Sequence, residues 1–141
     1  MNKIPVDAKR DIALIGHHGS GKTQLVDAML FNDKLIDRTG ILATDTEEVE
    51  KEKKASFSMG VTSFAHGDNR IYVLDTPGMA DFMAETVNGI YACENVVAVI
   101  NSTAGMEIQT ERFGAIAGEQ GKGIIAFFNM LDKERSSYQD A

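Results

Sequence analysis

The chain is expected to fold as a single α/β domain, a mostly parallel sheet with helices on both faces. Two observations carry that expectation. Four short apolar runs, at residues 12–15, 71–74, 96–100 and 124–128, are continuous and rich in β-branched or aromatic side chains. Such runs are typical of strands buried on both faces. Between them lie segments whose apolar residues recur at helical spacing, and strand–helix alternation specifies a parallel sheet with right-handed crossovers. A length of 141 residues, 43% of them hydrophobic and 25% charged, suits one globular domain and excludes a disordered or fibrous chain.

Taken in order, the run at 12–15 leads into a glycine-rich segment. A helix follows, with Leu25/Met29 and Val26/Leu30 paired four residues apart. The stretch 32–69 departs from the alternation. At its centre residues 46–54 form a dense charge run, in which Glu47/Lys51 and Glu50/Lys54 support a helix whereas Glu48/Glu52 oppose it. A solvated helix or a mobile loop is expected there. Beyond it Phe57, Met59, Val61 and Phe64 come close to alternating, and Gly67-Asp68-Asn69 marks a turn. This predicts a hairpin joining an edge strand to the buried run at 71–74. Met83, Val87, Ile90 and Tyr91 follow the helix period after Pro77-Gly78. Phe113, Ile116, Ala117 and Gln120 do so before Gly121-Lys122-Gly123 and the last run.

Fourteen Lys plus Arg against 21 Asp plus Glu leave a net charge of −7, so the chain's own field does not favour wrapping generic nucleic acid. The single cysteine, Cys93, cannot form an internal disulfide. It follows Tyr91-Ala92 as a small buried residue would, and a reducing compartment is expected. The N-terminal residues lack a signal-peptide core, and no apolar run is long enough to span a bilayer. A soluble, cytoplasmic protein without membrane contact is the expectation.

Three segments carry chemistry. Gly16-His17-His18-Gly19-Ser20-Gly21-Lys22-Thr23 satisfies G-x-x-x-x-G-K-[ST] in full, between a buried strand and a helix. Its glycines let successive backbone N–H groups turn inward around phosphate oxygens, and the helix dipole adds partial positive charge at the same place. Lys22 would reach the β- and γ-phosphates, and the Thr23 hydroxyl would ligate Mg²⁺. Asp75-Thr76-Pro77-Gly78 closes the second buried run, where a strand-end carboxylate holds Mg²⁺ and a glycine N–H can approach a γ-phosphate. Asn129-Met130-Leu131-Asp132 closes the last run. An aspartate there accepts two N–H bonds from guanine, a donor pair that adenine lacks, and Asn129 would tie its loop to the phosphate loop. Singly, these segments are ordinary turns. Their order on three strand ends is what points to a nucleotide.

In that combination the segments resemble the guanine-nucleotide motifs of translational GTPases, in particular the N-terminal G domain of elongation factor G and its elongation-factor-G-like paralogues. Ala80-Asp81-Phe82, Thr103-Ala104-Gly105-Met106-Glu107, Thr110-Glu111-Arg112 and Asp132-Lys133-Glu134-Arg135 extend the likeness. The resemblance implies a P-loop G domain that binds GTP or GDP with Mg²⁺. It implies nucleotide contacts at Gly16, His17, His18, Gly19, Ser20, Gly21, Lys22, Thr23, Asp75, Gly78, Asn129 and Asp132. Lys22 and Gly78 act in catalysis, and Thr23, Ser56 and Asp75 contact the metal. Residues 32–69 become the first switch region and the edge strand. The parent would be a ribosome-acting factor that hydrolyses GTP to drive a step of translation.

The departures from the family pattern are specific. Met79 stands where elongation factors carry a water-positioning histidine, Met130 replaces the lysine of N-K-x-D, Gly19 an aspartate and Lys54 a glycine. A thioether can neither orient nor deprotonate water. The resemblance also implies a partial G domain over residues 1–141, stopping before the fold's last strand and helix, with the parent's remaining domains absent. Weak nucleotide affinity is expected of these residues alone, and the apolar edge at 124–128 is expected to self-associate. Two functional readings stand: a GTPase, and a guanine-nucleotide switch with little hydrolysis, which Met79 favours. Asp132 argues against a third, an ATPase or kinase of another P-loop lineage.

Overall fold

The computed structural model describes residues 4–45, 50 and 55–137. Five strands form one sheet: β1 (Lys9–Ile15), β2 (Gly60–His66), β3 (Asn69–Asp75), β4 (Asn95–Asn101) and β5 (Gly123–Asn129). Their spatial order is β2-β3-β1-β4-β5. β1 pairs in parallel with β3 and β4, β4 in parallel with β5, and β2 antiparallel with β3. Among the described residues three helices cross between strands: α1 (Lys22–Asn32), α2 (Met83–Ala92) and α3 (Ile108–Glu119). Among the described residues no helix is long and apolar enough to cross a membrane.

Each face of the sheet has its own core. On one, Leu14, Val73, Val97 and Val99 meet Val26 and Leu30 of α1, with Phe64 of β2 completing the cluster. On the other, Ala13, Ile15, Leu74, Val96 and Ala98 meet Ile90 of α2 and Phe113 and Ala117 of α3. Alternate residues of the same strand thus serve opposite cores, which is why the central strands carry no charged side chain along these runs. Cys93 is buried in the second cluster, and burial pushes its thiol up to about 11, so it is a packing residue.

The hairpin is present, and its first strand starts later than the apolar pattern suggests. β2 begins at Gly60, so Phe57 and Met59 lie before it. Phe57 packs its ring against Phe82, centroids 5.1 Å apart, and Met59 packs onto the α2–α3 core. The charge pairings expected across 46–54 fall largely outside the described residues. Glu50 is described, and it is fully buried rather than solvated. Its carboxylate accepts the Phe57 N–H at 2.8 Å and the Ser58 N–H at 3.1 Å, which fastens the start of the hairpin.

Candidate functional site

Three strand ends, of β1, β3 and β5, open on the same edge of the sheet. The arrangement follows from the topology, because parallel strands present all their carboxyl ends together. The loop from Gly16 to Gly21 leads from β1 into α1. Gly21 stands at φ 96° before the first helical residue, and a Cβ there would run into the Asn129 side-chain amide. Only glycine combines that backbone with that contact.

Lys22 opens α1 and is almost wholly buried. Its Nζ donates to the Gly16 carbonyl at 2.9 Å and the His17 carbonyl at 3.0 Å. Burial pushes its pKa down to about 8, against the opposing charges of Asp75 and Glu107. The Ser20 hydroxyl is buried without a hydrogen-bond partner among the described residues. The back of the loop is fastened to α3: the His17 N–H donates to the Thr110 hydroxyl at 3.1 Å, and His17 Nε2 lies 3.1 Å from the Glu107 carboxylate. His18 instead lines the cavity in front of the loop, where burial and the Lys22 and His17 charges lower its pKa and keep it neutral at neutral pH.

Asp75 ends β3 beside this loop. Its Oδ2 accepts the Thr44 hydroxyl at 2.6 Å, while Oδ1 is buried with no hydrogen-bond partner among the described residues. Burial pushes this carboxyl above its usual range, although hydrogen bonds from Thr44 and Thr23 and the Lys22 charge oppose the shift. Thr23 Oγ1 lies 3.3 Å from Ser56 Oγ, and Ser56 donates to Asp45 at 2.7 Å. An orphaned carboxylate oxygen beside two aliphatic hydroxyls is a hard-oxygen set that fits Mg²⁺. Gly78 abuts the phosphate loop. A Cβ there would lie 2.5 Å from the His18 amide nitrogen and 2.5 Å from Lys22 Nζ, so its main chain faces the space that loop encloses.

After β5, the Asn129 side-chain amide donates to the Ser20 carbonyl at 2.8 Å. The base-side loop is thereby tied to the phosphate loop across 109 residues of sequence. Met130 lines the cavity, whereas Asp132 sits in the exposed turn beyond it. The cavity holds about 180 Å³, and its wall includes Lys22, Thr23, Ser56 and Gly78. Of the residues picked out from the sequence, the phosphate loop, Ser56, Asp75, Gly78 and Asn129 come together, and Asp132 stands apart at the rim. Met79 is half-buried at the start of a short 3-10 turn, Ala80–Phe82.

Sequence reasoning missed Asp27, Leu42, Thr44 and Asp45, all of which the structure brings to this corner. One clue was available: Asp27 follows Thr23 by four residues and so shares its helix face.

Comparison with known proteins agrees with this geometry. The profile described as "Elongation factor Tu GTP binding domain" matches residues 7–141. An elongation factor G-like protein of Thermotoga maritima is 46% identical over 93% of this chain and 19% of its own length. A peptide chain release factor 3 of Enterococcus faecalis is 33% identical over 94% of this chain and 27% of its own. The chain therefore spans roughly a fifth to a quarter of these relatives. A crystal structure from Thermus thermophilus superimposes with a TM-score of 0.87 at 30% identity, over 92% of this chain and 20% of that one. With its strand-end loops, its sheet order and this match over nearly all its length, the chain belongs to the elongation factor Tu GTP-binding domain family.

Proposed function

We propose that this chain binds GTP and GDP with Mg²⁺ and is the nucleotide domain of an elongation-factor-G-like, ribosome-acting GTPase of the cytoplasm. The observation that carries the proposal is a cavity walled by a buried lysine and by Thr23 and Ser56, with the buried carboxylate of Asp75 close to that lysine and to Thr23. Such a set is costly without a ligand and suits a polyphosphate with a divalent cation.

The amides of residues 16–23 bind the phosphates. Lys22, now bonded to the loop carbonyls of Gly16 and His17, turns to the β- and γ-oxygens, where its charge opposes the negative charge that grows on the γ-phosphoryl group. The Gly78 N–H approaches the same group. Thr23, Ser56 and Asp75 would hold Mg²⁺, which when bound supplies neutralising charge between the phosphates. Asn129 braces the loop, and Asp132 accepts the N1 and exocyclic-amine protons of guanine, which sets the preference over adenine. Competition binding tests the proposal: GTP and GDP should displace a fluorescent guanine nucleotide at concentrations where ATP does not, and equal displacement by ATP would refute it.

A second reading, a nucleotide switch with little hydrolysis, is favoured by Met79. Its thioether follows Gly78 where a water-orienting group would stand and can neither accept nor direct a proton. Single-turnover hydrolysis with ribosomes separates the two readings, because brisk turnover rejects the switch. The exposed apolar residues Ile124, Ile125 and Phe127 on the edge strand β5 support self-association of the 141-residue chain.

A further inference from the structure

Asp27 occupies the sixth position of α1, one turn beyond Thr23, and is fully buried. The phosphate-loop motif has no use for a carboxylate at this place. Both of its oxygens are engaged: the Leu42 N–H donates to Oδ2 at 2.8 Å and the Ala43 N–H to Oδ1 at 2.9 Å. Leu42 itself stands at φ 53°, in the left-handed region that a leucine rarely enters and keeps only where its surroundings over-determine it. The Leu42 carbonyl then takes the Asp45 N–H at 2.9 Å. The carboxylate, the left-handed residue and the turn over 42–45 therefore form one hydrogen-bonded unit.

That unit delivers two side chains to the nucleotide corner. Thr44 reaches Asp75 at 2.6 Å, and Asp45 takes the Ser56 hydroxyl at 2.7 Å. Ser56 in turn lies 3.3 Å from Thr23, on the same helix as Asp27. We propose that Asp27 is a positioning residue: it clamps the 42–45 turn to α1 and so holds Thr44, Asp45 and Ser56 around the Thr23–Asp75 corner. The clamp rests on geometry alone, and its consequence for Mg²⁺-dependent nucleotide retention rests on the function proposed above. Because α1 begins at Lys22, one helix carries Lys22, Thr23 and the clamping carboxylate. A carboxylate is needed, since an asparagine offers one acceptor oxygen and sets its own N–H donors against those of the turn.

The test uses Asp27→Asn and Asp27→Ala in the protein as its gene encodes it, with two readouts. In the first, without nucleotide, trypsin cleavage after the exposed Arg38 is expected to quicken by about tenfold or more, because the segment leading to the turn opens more often. In the second, release of a fluorescent GDP is followed with Mg²⁺ and with EDTA. Release in Mg²⁺ is expected to quicken by about tenfold while release in EDTA stays within about twofold of the unsubstituted protein. Unchanged cleavage overturns the clamp. Faster cleavage with release rising equally in Mg²⁺ and EDTA overturns its action on the metal corner, since general loosening moves both. If the unsubstituted protein binds no GDP, the nucleotide reading fails while the cleavage readout still decides the clamp. Should Asp27→Ala fail to fold, Asp27→Asn decides both readouts.

Discussion

Substituting Gly78 by alanine adds one methyl group at a crowded point of the site. The new Cβ would lie 2.5 Å from the His18 nitrogen, 2.5 Å from Lys22 Nζ and 2.6 Å from the His17 carbonyl carbon. Ordinary contact begins at 3.4 Å, so the phosphate loop or the Asp75–Gly78 turn must recede by about 0.9 Å. Two of the three obstructing atoms are backbone, and they cannot rotate away. Overpacking of this kind costs about 1–3 kcal/mol. The displacement falls on the amides and the ammonium that would hold the phosphates, so nucleotide affinity should drop by roughly 10- to 100-fold. Competition against a fluorescent GDP measures the loss, and thermal unfolding without nucleotide checks that the fold survives. Binding within about twofold of the unsubstituted protein would show that Gly78 does not pack on the loop as described, and the reasoning would fail.

Three further outcomes are expected. Lys22, at about 8 when folded against an ordinary 10.5, is charged at neutral pH only at the expense of burial. The unfolded chain binds the extra proton between these values, so stability without ligand should rise with pH across that window. Nucleotide binding should take up a proton there, visible as a dependence of the calorimetric heat on buffer ionisation; identical heats in all buffers would contradict this. Asp75→Asn removes a buried carboxyl whose raised pKa means that stability is lost as pH climbs from the ordinary carboxyl value to the raised one and stays lost above it. Its ligand-free melting temperature at pH 7 should rise, by an amount equivalent to about 1 kcal/mol, while Mg²⁺ no longer tightens GDP binding; a fall in melting temperature counts against the unpartnered Oδ1. Ile125→Lys places a charge on an edge residue that is 60% exposed, and sedimentation at high concentration should show the 141-residue chain shift towards monomer, whereas an unchanged profile locates any association elsewhere.

The central strands were legible because burial on both faces leaves a short continuous apolar run, and its length and β-branched content set it apart from a buried helix. β5 shows the limit of that signal. Its run looks the same as the others, yet Ile124, Ile125 and Phe127 are exposed, since a strand's rank in the sheet is a property of its neighbours. Edge strand β2 starts later than its apolar pattern suggests, because an edge needs no strict alternation and Phe57 and Met59 find partners outside the sheet. The phosphate loop was readable for the opposite reason: its chemistry is contiguous, eight residues fixed by local backbone demands. Asp27, Thr44 and Asp45 act through contacts 11 to 31 residues apart, and no local pattern announces them. Glu50 stands in a charge run that reads as solvated, yet it is a buried acceptor of two amides.

The sheet order sets a problem for synthesis. β1 leaves the ribosome well before either of its partners, because β3 begins sixty residues later and β4 later still. Until about residue 75 has emerged, Ile12, Leu14 and Ile15 have no strand on either side, and the second flank stays open until about residue 98. The helix that follows β1 meanwhile has no completed surface to dock on. Strand-by-strand folding in the order of synthesis is therefore closed to this segment. The nascent polypeptide must stay collapsed but unpaired across that interval, and codons that slow translation between β1 and β3 would prolong the time in which this strand is open to capture by chaperones or by other nascent chains.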